Sequence, residues 1–155
     1  DASLLGREFS RAVEFSERIQ RERVRINFTM KHLALLLALA LTAQAAPPPS
    51  FFRALHIVET SGRTGPILGD GGAALGPLQI HRAYHADSRV AGDYSRVADL
   101  DYSKRVATAY LKRHAPAAWA AGDVETLARV HNGGPRWHLK PSTKGYAAKV
   151  KALTN

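Results

Sequence analysis

From residue 50 onward, apolar and polar positions follow a helical rhythm that breaks once and then resumes. Phe52 and Leu55 recur at helical spacing, which predicts a first helix from Phe51 to about Thr60 with Ser50 as its cap. Ser61 to Leu75 has no such period. It carries five glycines and Pro66, and reads as loop with a small hairpin around Asp70-Gly71. Pro77 suits the first turn of a second helix, running to about Asp87. Val90 to Leu100 reads as irregular. Tyr102, Val106, Ala109 and Tyr110 then form an apolar stripe, with Lys104, Arg105, Thr108 and Lys112 opposite. That pattern is an amphipathic helix, and it must stop before Pro116. Ala117 to Ala121 adds a turn. Asp123 caps a fourth helix with the stripe Val124, Leu127, Ala128 and His131, ended by Gly133, Gly134 and Pro135. Ser142 opens a last helix through about Leu153. No internal repeat is present. The class is mostly α: a helical domain with one small loop or β-hairpin lobe after the first core helix.

The stretch before residue 50 has a different character. Met30 is the lone methionine of the 155 residues. From it the chain reads Met30-Lys31-His32, then a Leu/Ala run from Leu33 to Leu41, then Ala43-Gln44-Ala45. A charged start, a short apolar core and a small-residue cleavage site form a secretory signal. A bilayer span needs about 20 apolar residues, so this run predicts a leader and no lasting membrane helix. The expected organisation is an upstream segment 1–29, a signal peptide 30–45 and a mature domain 46–155. An amphipathic N-terminal helix from Glu8 to Arg25 is the competing reading of the upstream segment. Pro47-Pro48-Pro49 reads as a stiff linker.

Charge narrows the partners. From Ala46 the chain carries 15 Lys/Arg against 8 Asp/Glu, a formal +7. A basic exported domain suits an anionic polymer such as bacterial wall or acidic glycan. No basic run interleaved with aromatics points to nucleic acid. The chain has no cysteine, so an exported domain of this size must rely on its hydrophobic core. Neither zinc-ligand spacing nor a phosphate-cradling Gly-Lys-Ser/Thr motif occurs, and no metal or cofactor is expected.

The chemistry centres on Glu59. It falls on the apolar face of the first helix, four residues from Leu55 and seven from Phe52. Burial and the helix C-terminal dipole both disfavour its charged form, which suits a general acid. Asp70 lies a short loop away, and two carboxyls in unlike environments make a glycosidase hypothesis. Asp70 is equally at home as the turn residue of an Asp-Gly hairpin. Gln79 is either a solvated helix residue or a hydrogen-bond partner of substrate. His131 is a core histidine or a substrate contact. Asn132 is a helix cap or an amide that meets a sugar N-acetyl group. Tyr84 and Trp137 are core, rim or sugar platforms. Trp137, beside Arg136 in a Gly/Pro-rich loop, is the best-placed platform.

Four segments together carry a resemblance. They are Glu59-Thr60-Ser61-Gly62, Gly69-Asp70-Gly71-Gly72, Gly76-Pro77-Leu78-Gln79-Ile80 and Arg129-Val130-His131-Asn132-Gly133-Gly134-Pro135. In order and approximate spacing, from about Arg53 to Lys149, the chain resembles the invertebrate-type lysozymes, the destabilase family. Its cysteine-free composition departs from the animal members and fits a bacterial relative. The resemblance implies an α+β lysozyme-like fold and a catalytic pair, Glu59 as acid and Asp70 as second acid. It also implies sugar contacts at Gln79, His131, Asn132 and Gly133. The expected activity is that of a secreted or periplasmic, monomeric muramidase acting on peptidoglycan or a chitin-like glycan, with an antimicrobial or wall-remodelling role. The alternatives are a lytic transglycosylase, which gives 1,6-anhydro ends, and a non-catalytic cationic wall-binding module. Isopeptidase activity credited to some members would need a Ser/His pair such as Ser61 with His81 or His131.

Overall fold

A computed structural model describes residues 46–154, together with Arg18, Gln20 and Glu22 in helical conformation. The leader expected at 30–45 and nearly all of the upstream segment 1–29 lie outside the described residues. The chain divides into two units after Gln44, and the helical domain is the second.

That domain has six helices and a small sheet, in the order expected of a mostly α chain. Helix α1 spans Ser50–Thr60, and its buried face is Phe51, Ala54 and Leu55. The hairpin lobe follows: β1 (Leu68–Gly69), a 3-10 turn (Asp70–Gly72), β2 (Ala74–Leu75) and β3 (Ile80–His81). The three strands are antiparallel in the order β1-β2-β3, with Gly69 opposite Ala74 and Ala74 opposite His81. Then come α2 (Arg82–Ser88), a 3-10 turn (Tyr94–Ala98), α3 (Leu100–His114), α4 (Pro116–Ala121), α5 (Val124–Gly133), a 3-10 turn (Trp137–Leu139) and α6 (Thr143–Ala152).

The periodic segments fold as their patterns dictate. Asp99 caps α3 by accepting from the Tyr102 N–H at 2.7 Å, and α3 buries Tyr102, Val106, Ala107, Tyr110 and Leu111. Asp123 caps α5 by accepting from the Thr126 N–H at 3.1 Å. One continuous core joins α1, α3, α5 and α6 to Leu78 and Ile80 of the lobe. Each large apolar side chain buried there contributes about 1.5–3 kcal/mol.

Two expectations are corrected. Ser50 does not cap α1; its hydroxyl donates to the Thr154 carbonyl at 2.8 Å and ties the helix start to the chain's end. The Pro48 carbonyl accepts from the Phe51 N–H at 2.9 Å in the turn that leads into the helix. The second helix starts at Arg82, not Pro77. Gly76 to Gln79 is instead a tight turn, closed by the Gln79 N–H on the Gly76 carbonyl at 3.0 Å. Gly76 has φ +84, and a Cβ there would lie 1.9 Å from the Val97 carbonyl oxygen. Only a glycine fits that close approach and that positive φ, and Ile80–His81 are taken by pairing with β2.

Candidate active site

Glu59, Asp70, Gln79, His81, His131 and Asn132 line one cleft of about 130 Å³ between the hairpin lobe and the helices. Five of these six are residues that sequence reasoning singled out as site candidates.

Helix α1 delivers Glu59 in its last turn, where the apolar stripe turns it inward. Its side chain is 16% exposed. The Tyr146 hydroxyl of α6 donates to Oε1 at 2.6 Å, the length of a charge-assisted O–H···O⁻ bond. His131 Nε2 of α5 lies 3.5 Å from the same oxygen. Behind His131, the Tyr84 hydroxyl shares a 3.0 Å hydrogen bond with Nδ1. With Tyr84 donating, the imidazole carries its proton on Nε2, towards Glu59. Burial pushes the Tyr84 phenol well above its ordinary range, helped by Tyr110 and by Glu59. Burial does the same to Tyr146, reinforced by the Glu59 charge and the hydrogen bond to it. Both hydroxyls therefore stay protonated near neutral pH and serve as fixed donors. One oxygen of Glu59 is held from behind by Tyr146.

Asp70 sits across the cleft at the hairpin tip. Its backbone is left-handed at φ 47, and its carboxyl is 74% exposed. His81 Nε2 lies 2.9 Å from Oδ2. The two acids thus occupy unlike settings, one half-buried on a helix and one exposed on a turn.

Gln79 is committed to the lobe. Its amide nitrogen donates to the Gly76 carbonyl at 2.9 Å and the Ile67 carbonyl at 3.2 Å, and the residue also lines the cleft. Asn132 is exposed in the last turn of α5, with its amide available. Gly133 is buried, not open to a ligand. A Cβ there would meet Thr143 Cγ2 at 2.7 Å and Trp137 Cβ at 3.1 Å, so it serves the packing of α5 on α6. Tyr84 is also buried, stacked on Tyr110 with ring centroids 3.5 Å apart, and it reaches the site only through His131. Trp137 lies outside the cleft lining, and one face of its ring is covered by the Arg129 guanidinium at 4.3 Å. Ser61 is exposed at the end of α1 and shares no hydrogen bond with His81 or His131 among the described residues. No group of three or more His, Asp or Glu among the described residues is arranged to hold a metal ion.

Sequence reasoning missed Tyr146 altogether. It stands 87 residues from Glu59 along the chain, and no local motif marks it. The signal was only its place on the α6 face that includes Thr143, Ala147 and Val150. The sequence offers His81 only as a partner for Ser61. Its position directly after Gln79-Ile80 was the available clue.

No family model matches the chain. Known proteins do. Lysozyme 1 of Crassostrea virginica is 38% identical over 81 residues, covering 51% of this chain and 44% of that protein. A lysozyme of Magallana gigas is 35% identical over 79 residues, 50% of this chain and 58% of that one. A lysozyme of Meretrix lusoria is 34% identical over 86 residues, 54% of this chain and 70% of that one. The chain therefore spans only 44% and 58% of the first two relatives' lengths. Among solved structures, a chain from the crystal structure of Aeromonas hydrophila PliI in complex with Meretrix lusoria lysozyme superposes with a TM-score of 0.57. It is 28% identical, and the match covers 69% of this chain and 90% of that one. With the mostly α fold, the three-stranded hairpin lobe and 34% identity across 70% of the Meretrix lusoria protein, the chain belongs to the invertebrate-type lysozymes, the destabilase family.

Proposed function

We propose that the domain is a peptidoglycan-degrading glycosidase, a muramidase that hydrolyses the β-1,4 link between N-acetylmuramic acid and N-acetylglucosamine. The observation that carries this is the cleft with Glu59 on its helical wall and Asp70 on its hairpin wall. The relatives named above are lysozymes, which supports the same reading.

Glu59 donates a proton to the glycosidic oxygen as the C–O bond breaks. The carboxylate left behind is met at once by the Tyr146 hydroxyl, 2.6 Å away. Asp70 stabilises or attacks the oxocarbenium-like anomeric carbon. Glu59, now a base, takes a proton from the incoming water and returns to its starting state. Asn132 offers its amide to the N-acetyl group. The +7 charge from Ala46 onward attracts the anionic wall. We place the mature enzyme outside the cytoplasm, after removal of the leader ending at Ala45.

A lytic transglycosylase is the second reading. The Asp70 carboxyl is 74% exposed at the hairpin tip, and a transglycosylase needs only one acid. The test of the catalytic assignment is Glu59→Gln. The amide cannot deliver a proton, and general acid catalysis is worth about 10²–10⁴-fold. Wall lysis should fall by that factor with the fold intact by circular dichroism. Wild-type turnover in the purified variant would remove Glu59 from the mechanism.

A further inference from the structure

We propose that His81 is a positioning residue that fixes the Asp70 carboxylate for the reaction. The inference rests on the glycosidase reading above.

Asp70 has little to hold it. It stands at a hairpin tip with its carboxyl 74% exposed. Gly71 and Gly72 follow, both at positive φ, and a Cβ on either would meet nothing within 4 Å. A carboxylate on such a tip samples many orientations. Among the described residues, its one side-chain partner is His81, with Nε2 2.9 Å from Oδ2.

His81, in contrast, stands on fixed backbone. It pairs with Ala74 in the sheet, and the preceding Ile80 is fully buried. The Tyr94 hydroxyl donates to the Ile80 carbonyl at 2.7 Å, and α2 begins at the next residue. Gly69, Ala74 and His81 form one row across the three strands. The left-handed backbone of Asp70 therefore turns its carboxylate back over β2 to reach the imidazole. Both side chains line the cleft that holds Glu59.

The pairing leaves Oδ1 free for the anomeric carbon while Oδ2 is tethered. Neutral imidazole with its proton on Nε2 and imidazolium both donate there, so the tether survives a change of protonation. In water an exposed pair of this kind adds little stability. Its value is geometric, and it strengthens when substrate displaces water from the cleft.

The experiment compares wild type, His81→Ala and His81→Gln on peptidoglycan fragments, measuring kcat and KM separately. Misplacing a reacting group by about 1 Å costs about 10²-fold, so His81→Ala should lower kcat by about 10–100-fold with KM nearly unchanged. His81→Gln keeps an N–H donor but cannot titrate, and should recover most of the lost kcat. A rise in KM instead of a fall in kcat would make His81 a substrate contact and overturn the proposal. Failure of Gln to restore activity would also overturn it. A readout independent of activity is the His81 Nε2 nitrogen resonance, which should move on Asp70→Asn; no movement would deny the pairing. An inactive wild-type domain would sink the glycosidase reading and this role with it. An active wild type matched by His81→Ala would sink the role alone.

Discussion

Replacing Tyr146 with Phe removes one oxygen and leaves the ring in place. That oxygen donates to Glu59 Oε1 at 2.6 Å, whereas His131 Nε2 stands off at 3.5 Å from the same atom. The shorter contact is in the charge-assisted range and the longer one is beyond a normal hydrogen bond, so Tyr146 carries most of the stabilisation. Hydrogen bonds to charged groups contribute about 1.5–3 kcal/mol net. When Glu59 gives up its proton to the leaving oxygen, Tyr146 stabilises the carboxylate that forms, so the loss falls on the chemical step. At about 1.4 kcal/mol per tenfold, kcat should drop by about 10–100-fold. KM should barely change, because Tyr146 lies behind the acid. Phe also leaves the part-buried Glu59 oxygen without its hydrogen-bond donor, so thermal stability should fall modestly while the fold stays intact. Steady-state kinetics on soluble wall fragments, with a melting curve on the same samples, checks this. Unchanged kcat in Tyr146→Phe would mean that Tyr146 does not stabilise the Glu59 carboxylate during the reaction.

Two further outcomes follow from packing and protonation. A Cβ at Gly69 would fall 1.6 Å from Gln79 Oε1, so Gly69→Ala should expel the amide from its bonds to Ile67 and Gly76. The variant should lose about 1–3 kcal/mol in urea unfolding, and adding Gln79→Ala should cost less than the two changes summed; full additivity would contradict the clash. The Tyr84, Tyr110 and Tyr146 phenols are all raised by burial above the ordinary 10.0, Tyr110 to about 12. The unfolded chain then loses these protons first, so stability complete below pH 10 should decline as pH rises towards about 12. Melting temperature measured across that range should fall, and less so in Tyr110→Phe; a flat profile would contradict it.

The helices were legible because their burial is written locally. Tyr102, Val106 and Tyr110 repeat at helical spacing, and Asp123 caps the helix that follows it. Glu59 was legible for the same reason, as an acid on an apolar stripe. What failed was structure set by distant contacts. Pro77 looked like a helix start until Gly76 was seated against the Val97 carbonyl and Ile80 was paired with Leu75. Ser50 looked like a cap, but its hydroxyl reaches Thr154 at the far end of the domain. Tyr146 touches Glu59 only once α1 and α6 have packed. Gly133 and Tyr84 stood near the right motif, yet one fills a packing gap and the other sits behind His131.

Hydrolysis of wall glycan in this cleft can be read out by mass spectrometry of digested peptidoglycan. The purified domain, residues 46–155, should release fragments with hydrated reducing ends at N-acetylmuramic acid, and Glu59→Gln should release almost none. Fragments ending in 1,6-anhydro rings would show a lytic transglycosylase, and intact glycan strands after exhaustive digestion would contradict the enzymatic account altogether.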